Sequence, residues 1–188
     1  MDLQFINWKM HLEANSTPEP DEYFKEFNGW IPESKEVFID VADYKHVQDG
    51  PITLLVGHYV NYSLDQSNRR LGLLADFKHP MQGDNVAKMR ESLRGLLQAA
   101  KRLSEATSFA HAPKFATGDL RFIVNSRALA PNTAATFAAI KGELATVLDS
   151  VYGAGNYSLE HLTDPKQRFM VQVQAKNAPT LEAMVAKV

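Results

Sequence analysis

One four-residue segment, Asn-Tyr-Ser-Leu, occurs twice in this chain, at residues 61–64 and 156–159. Each copy is followed by a polar turn and then by an apolar segment that ends in lysine, at residues 70–78 and 168–176. Two apolar segments joined by a short polar turn predict a β-hairpin. A hairpin that occurs twice favours a fold with two similar halves.

The segments around the two hairpins follow the same order. A strand that contains LQFI, residues 3–6, and a strand that contains LRFI, residues 120–123, each precede a predicted helix, the hairpin and a second helix. The first half is longer, and an inserted strand and turn at about 37–58 accounts for the difference.

We therefore predict an α+β fold: a single layered domain with a mainly antiparallel sheet of about seven strands and helices mostly on one face. Two pseudo-repeats of strand, helix, hairpin and helix build it. The first half-repeat spans residues 1–106, a connector spans 107–118, and the second half-repeat spans 119–188. All three form one compact domain.

Three helices have recognisable signals at their ends. A first helix is expected to begin after Ser16 or Thr17 and to close at Gly29 and Pro32. The predicted N-caps of the two long helices are Asp84 for the helix within residues 84–106, and Asn132 or Thr133 for the helix that Gly153 ends.

Residues 52–64 have the pattern of one long strand, in which Gly57 marks a bulge or bend. Alternation along this strand puts His58 on the apolar side, together with Leu54 and Val56. His58 is then either a core histidine whose imidazole is hydrogen-bonded to a neighbouring group, or a residue of a pocket wall that contacts a ligand or carries a proton. In the preceding strand, the same alternation predicts an apolar face of Val37, Ile39 and Val41.

The charge and composition exclude several classes of protein. Twenty Lys and Arg against 22 Asp and Glu give a net charge of −2, so the chain has no positive field for nucleic acid. The absence of cysteine excludes disulfides, thiolate nucleophiles and Cys-based zinc sites. No segment approaches the ~18 apolar residues of a membrane span, and the N-terminus has no secretory pattern. We expect a soluble, cytoplasmic protein without a membrane partner.

Motifs for catalysis and for cofactors are missing. The sequence has no Gly-x-Ser-x-Gly elbow and no glycine-rich loop that leads into a helix with Lys-Ser or Lys-Thr. We expect neither a nucleotide nor another cofactor.

The densest polar segment lies between residues 40 and 65. Carboxylates and imidazoles can hold a divalent metal that activates water, so a metal-assisted hydrolase that uses Asp40, Asp43, His46 and His58 is the alternative hypothesis. Two observations weigh against it: Asp40 and Asp43 point to opposite faces of a strand, and no metal-binding motif is present.

The sequence favours a non-catalytic module that binds a partner protein or a small ligand. The expected contact surface is the sheet face or the loops around His46 and His58, without a metal. The candidate ligand-binding residues are Asp40, Asp43, His46, His58, Asn61, Tyr62 and Arg70.

A homo-oligomer is a further expectation. Aromatic residues crowd the N-terminal region, and exposed aromatic patches mark contact surfaces. These residues are Trp8, Tyr23, Phe24, Phe27 and Trp30.

Overall fold

The computed structural model describes all 188 residues and contains four helices and one eight-stranded antiparallel sheet. The predicted α+β class and the antiparallel sheet are confirmed. The strands are β1 (Ile6–Leu12), β2 (Phe38–Asp43), β3 (Pro51–Gly57), β4 (Val60–Asp65), β5 (Gly72–Phe77), β6 (Phe115–Val124), β7 (Tyr157–His161) and β8 (Phe169–Ala175). The helices are α1 (Pro20–Glu33), α2 (Asn85–Glu105), α3 (Ala134–Tyr152) and α4 (Leu181–Val185).

The strand order is β2-β3-β4-β5-β1-β6-β8-β7. The first strands of the two sequence halves, β1 and β6, pair antiparallel near the middle of the sheet, with Trp8 opposite Phe122. The other strands of the first half therefore lie on one side of this pair, and β8 and β7 lie on the other.

The sheet has eight strands rather than seven because residues 52–64 form two strands. The chain turns at His58 and Tyr59, and β4 pairs antiparallel with β3. A Cβ atom at Gly57 would lie 2.1 Å from the carbonyl oxygen of Val60, so the backbone approaches too closely for any residue except glycine. The apolar residues on both sides of this turn concealed it in the sequence.

The predicted burial of His58 is wrong, since its side chain is exposed at this turn. The faces of β3 are also reversed with respect to the prediction. Thr53 and Leu55 are fully buried against the helices, whereas Leu54 and Val56 lie half-buried on the opposite face.

The helices cover one face of the sheet, and the main hydrophobic core lies between them. Ile6, Trp8 and Met10 of β1 belong to one cluster of 40 buried residues to which all four helices contribute. The indole N–H of Trp8 donates to Ser92 Oγ of α2 over 3.0 Å, which fixes this helix against the central strand.

The capping predictions for the two long helices are confirmed. Asp84 accepts a hydrogen bond from the N–H of Ala87, and Thr133 accepts one from the N–H of Thr136. Gly153 follows α3 with a φ of 83°, a left-handed conformation that favours glycine.

The predicted ends of α1 are wrong. The helix begins at Pro20 after Glu19, which makes no side-chain cap, and it continues through Gly29 and Pro32 to Glu33. Proline suits the first position of a helix because its missing N–H has no partner there. Pro20 therefore starts the helix without help from Ser16 or Thr17.

The N-terminal aromatic residues pack inside the protein. Trp8, Tyr23 and Phe27 are fully buried, and Trp30 is 2 % exposed. Only Phe24 reaches the surface, with 37 % of its area exposed. The pattern that favoured a self-interface is explained by packing of β1 and α1 into the core.

Strand β2 lies at one edge of the sheet and is irregular. Its register against β3 shifts between Phe38 and Asp40, so that Phe38 and Val41 are buried. Val37 and Ile39 are exposed, contrary to the predicted alternation, because the bulge rotates the strand by one position.

Residues 106–114 connect α2 to β6, so β6 begins inside the segment that was predicted to be a connector. None of the helices combines the length and the apolar character that crossing a bilayer requires.

Candidate functional site

The helix-free face of the sheet carries polar residues that are nevertheless buried. Asn7, Lys9 and His11 alternate with the core residues of β1, and their exposure is 0 %, 0 % and 1 %. Lys9 lies opposite Leu74 of β5 and Arg121 of β6, and paired residues of an antiparallel sheet share a face. The polar surface therefore extends across the central strands.

A cleft of about 340 Å³ opens on this face. Leu54, Asn61 and Asp76 of β3, β4 and β5 line one side, and Gln167 and Arg168 of the β7–β8 connection line the other. Residues from both ends of the strand order therefore border one cleft, which means that the sheet curls around its helix-free face. This curl also explains how polar side chains of β1 are buried without a covering helix.

A buried ion pair joins the centre of the sheet to the wall of the cleft. Lys9 Nζ lies 2.5 Å from Asp65 Oδ1 and also donates to the carbonyl oxygen of Arg70 over 2.6 Å. Burial lowers the pKa of Lys9, and the Asp65 carboxylate opposes this shift. Asp65 also lines the cleft. The position of this wall of the cleft therefore depends on Lys9.

The connection between β4 and β5 is held in a specific conformation. Asp65 Oδ1 accepts from the N–H of Ser67, and Asp49 Oδ1 accepts from the N–H of Asn68 over 2.8 Å. Asn68 and Arg69 have φ values of 58° and 56°, in the left-handed region. These bonds stabilise an unfavourable backbone at the rim of the cleft.

Gly72 leaves room for the Lys9 side chain. A Cβ atom at this position would lie 2.5 Å from the carbonyl oxygen of Met10 and 3.0 Å from Lys9 Cε. The lysine reaches Asp65 because the residue beside its path has no side chain.

A second polar network surrounds Asp119 on β6. His11 Nδ1–H donates to Asp119 Oδ1 over 2.8 Å, Gln172 Nε2 donates to the same oxygen over 2.6 Å, and the Arg70 guanidinium pairs with the other oxygen. Desolvation would raise the pKa of Asp119, but the hydrogen bonds from His11 and Arg70 outweigh it and lower this pKa. Burial lowers the pKa of His11 despite the neighbouring carboxylate, so the imidazole is neutral at pH 7.

Three buried polar groups on this face have no hydrogen-bond partner. They are the Asn7 amide, His11 Nε2 and Arg121 Nη1. The Arg121 guanidinium reaches only Gln172 Oε1, over 3.2 and 3.3 Å, and burial lowers its pKa. A buried polar group without a partner costs roughly 1–3 kcal/mol.

A row of polar side chains crosses the floor of the cleft and continues beyond it at the buried Asn7. Asn61, Asp76 and Asn7 occupy paired positions on β4, β5 and β1. Asn61 Oδ1 accepts from the N–H of Gly57 over 3.1 Å, whereas the Asp76 carboxylate forms neither a hydrogen bond nor an ion pair. The Asp76 carboxylate, in the middle of this row, is therefore free to bind a ligand.

Two of the seven residues predicted to bind ligand belong to this region. Asn61 lines the cleft, and Arg70 contributes its carbonyl oxygen to Lys9 and its guanidinium to Asp119. Tyr62 faces the helices instead: its hydroxyl donates to the carbonyl oxygen of Gly95, and burial raises its pKa.

The other four residues are not brought together. Asp43 pairs with Thr53 at one end of the β2–β3 ladder, while His58 follows Gly57, which pairs with Phe38 at the other end. Five residue steps along a strand separate these ends by roughly 16 Å. No group of three or more His, Asp or Glu side chains is placed to hold a metal ion, and nothing in this geometry favours the hydrolase.

Asp40 and His46 lie apart from the cleft as well. Asp40 accepts a hydrogen bond from the N–H of Val41, and the His46 ring contacts Tyr44 in the loop after β2. Neither residue lines the cleft.

The sequence did not identify Lys9, Asp76, Arg121 or Arg168 as site residues. The available signal was the alternation of Asn7, Lys9 and His11 with large apolar residues along β1. Alternation of this type normally indicates a solvent-facing side, and only the curl of the sheet makes it an interior.

Comparison with known proteins gives no relative from which a role could be transferred: no protein-family model, no curated protein and no solved structure matches the chain. The function is therefore inferred from the geometry of the cleft.

Proposed function

We propose that this protein is a non-catalytic binding module and that a small ligand occupies the cleft on the helix-free face of the sheet. The cleft volume falls within the 300–1,000 Å³ typical of small-molecule sites. Its lining combines apolar surface from Leu54 and Leu74 with polar groups of Asn61, Ser63 and Asp76. Polar groups predominate in the lining, and polar groups are what fix the orientation of a bound small molecule.

One observation carries the proposal. The helix-free face holds a charged pair and three unpartnered polar groups in its interior, and Asn7 and Lys9 among them pair with the cleft residues Asp76 and Leu74. An apolar interior would be at least as stable as a buried ion pair. We therefore attribute the polar residues to recognition, with the Lys9–Asp65 pair holding the cleft wall in place.

Filling the cleft tests this proposal. Leu54→Trp places an indole on the cleft floor, and Ile39→Trp places one at a 61 % exposed position of the neighbouring edge strand as a matched control. We expect fragments that raise the melting temperature of the wild type to lose that effect with Leu54→Trp and to keep it with Ile39→Trp.

One outcome would reject the proposal, and a second variant is available if the first does not fold. Equal fragment binding by Leu54→Trp and by the wild type would reject the cleft as the site. If Leu54→Trp does not fold, Leu74→Phe narrows the same cleft from β5 and replaces it in the comparison.

We also propose that the two halves are pseudo-repeats. The segments β4-β5-β1 and β7-β8-β6 have matching strand orders on the two sides of the central pair. In addition, each Asn-Tyr-Ser-Leu segment pairs antiparallel with the strand that follows it, although the pairing of the second hairpin is shifted by two residues with respect to the first. Superposition of β1-α1-β4-β5 on β6-α3-β7-β8 tests this, and helices that cross their strands in unrelated directions would contradict it.

A further inference from the structure

We infer that the cleft selects small amphoteric molecules, which carry an amine or guanidinium at one end and a carboxylate at the other. The inference rests on the proposed binding function and specifies the class of ligand. Four charged side chains border the cleft. Asp65 forms an ion pair and Asp49 accepts a hydrogen bond from a backbone N–H, whereas Asp76 and Arg168 have no oppositely charged partner in the protein.

The first is Asp76, a half-buried carboxylate on the cleft floor. The two residues that flank it in the sheet, Asn61 and Asn7, are amides and supply no positive charge. The nearest buried cation on this face, Lys9, is already paired with Asp65. A partly desolvated carboxylate without a counter-charge favours a cationic hydrogen-bond donor.

The second is Arg168, which is half-buried in the β7–β8 connection, immediately before β8. Its Nη1 donates to Asn125 Oδ1 over 3.2 Å, and it contacts no carboxylate. By contrast, Arg70 and Arg102 are paired with Asp119 and Glu33. The remaining N–H groups of Arg168 suit a carboxylate, which a guanidinium can bind through two parallel hydrogen bonds.

The surface of the cleft is partly apolar. Leu54 of β3 and Leu74 of β5 line it, and Ser63 of the intervening strand β4 pairs with both. A short carbon skeleton can therefore lie on these leucines while its amine meets Asp76 and its carboxylate meets Arg168. This arrangement fits an amino acid or a similarly short amino-carboxylate.

Four probes of similar chain length separate the contributions of the two ligand charges to binding. Norvaline and 5-aminopentanoate carry both charges, pentylamine lacks the carboxylate, and pentanoate lacks the amine. Binding is measured by NMR titration of the full-length protein. We expect at least one amphoteric probe to bind about tenfold or more tightly than both singly charged probes, as one charge-assisted hydrogen bond supplies such a factor.

Two substitutions assign the charges. Asp76→Asn should reduce the affinity for the amphoteric probe to that for pentanoate, and Arg168→Gln should reduce it to that for pentylamine. The matched controls are Asp40→Asn and Lys166→Gln, an acid and a base that do not line the cleft, and they should leave the affinity unchanged.

The outcomes separate this inference from the proposed function. If other fragments bind in the cleft but no amphoteric probe exceeds the singly charged ones, the ligand class is wrong and the binding function stands. The same conclusion follows if Asp76→Asn and Arg168→Gln both bind the amphoteric probe like the wild type. If no compound of any class perturbs the cleft residues, the proposed function fails and this inference fails with it.

Discussion

Lys9 Nζ and Asp65 Oδ1 lie 2.5 Å apart, with side-chain exposures of 0 % and 3 %. The pair connects the central strand β1 to the end of β4, and the same ammonium group binds the carbonyl oxygen of Arg70. One buried cation therefore holds both ends of the turn that borders the cleft.

Removal of this cation should destabilise the protein strongly. Lys9→Met preserves the length of the side chain but leaves the Asp65 carboxylate buried without a partner, which typically costs about 3–5 kcal/mol of unfolding free energy. Urea denaturation measures the loss. The exposed pair of Lys45 with Asp21 is the control, because Lys45→Met removes a charge that water already solvates.

A second variant separates charge from packing. Lys9→Met combined with Asp65→Asn removes both charges, while the side-chain oxygen of the introduced asparagine retains an acceptor for the N–H of Ser67. We expect the double variant to be more stable than Lys9→Met alone. A Lys9→Met protein within about 0.5 kcal/mol of the wild type would refute the structural role of the pair.

Two glycine substitutions should have effects of opposite sign. Gly72→Ala places a methyl group against the carbonyl oxygen of Met10 and against Lys9, and such overpacking costs about 1–3 kcal/mol or more. Gly142→Ala is the matched control, because its methyl group meets nothing within 4 Å on the exposed side of α3. There alanine should stabilise the helix by about 0.5–1 kcal/mol. Equal stabilities of the two variants would contradict the close approach at Gly72.

The stability of the protein should decrease as the pH falls below about 6.5, the pKa of an unfolded histidine. Burial lowers the pKa of folded His11, in an environment that also includes Asp119, Arg70 and Lys9. Between these two pKa values the unfolded state therefore binds more protons than the folded state. The unfolding free energy consequently decreases as the pH is lowered. Asp119, whose pKa is lowered from an ordinary value of about 3.9, adds a separate loss at more acidic pH.

The variant His11→Asn identifies the source of the first loss. Asparagine keeps an N–H donor for Asp119 but does not titrate, so the decrease between pH 7 and pH 5 should become smaller. The control is His58→Asn, at the exposed turn. Wild-type pH dependence in His11→Asn, measured by urea denaturation across this interval, would contradict the assignment.

His58→Ala should have little effect on stability. The side chain is exposed at the β3–β4 turn, where its ring lies against Tyr59 and His79, and surface substitutions of this kind change the unfolding free energy by at most about 0.5 kcal/mol. A thermal melt checks this. A loss of 1–3 kcal/mol, as expected for a core histidine, would show that the imidazole is buried at this turn.

Local signals in the sequence predicted a large part of the fold. The caps Asp84 and Thr133 located the starts of α2 and α3, and apolar alternation located the hairpin of β4 and β5. These features depend on residues a few positions apart. The turn at His58 was missed because the apolar residues on both sides of Gly57 are as typical of one strand as of two.

The cleft could be predicted only in part because it depends on contacts between distant segments. Asn61 was recognised within a strand-forming motif, but the burial of Lys9 depends on the curl of a sheet to which both halves of the chain contribute. Asp76 and Arg168 come from different halves of the chain and line the same cleft. No local pattern encodes these relationships.

The most direct test of the binding cleft is a map of backbone amide shifts in ¹H–¹⁵N NMR spectra, recorded while small polar fragments are added to the full-length protein. We expect the perturbed amides to cluster at Asn61, Ser63, Asp76 and Arg168, with the helix surfaces unaffected. Perturbations that cluster on the helices or on edge strand β2, or spectra that no fragment changes, would contradict the assignment of the helix-free face as the binding site.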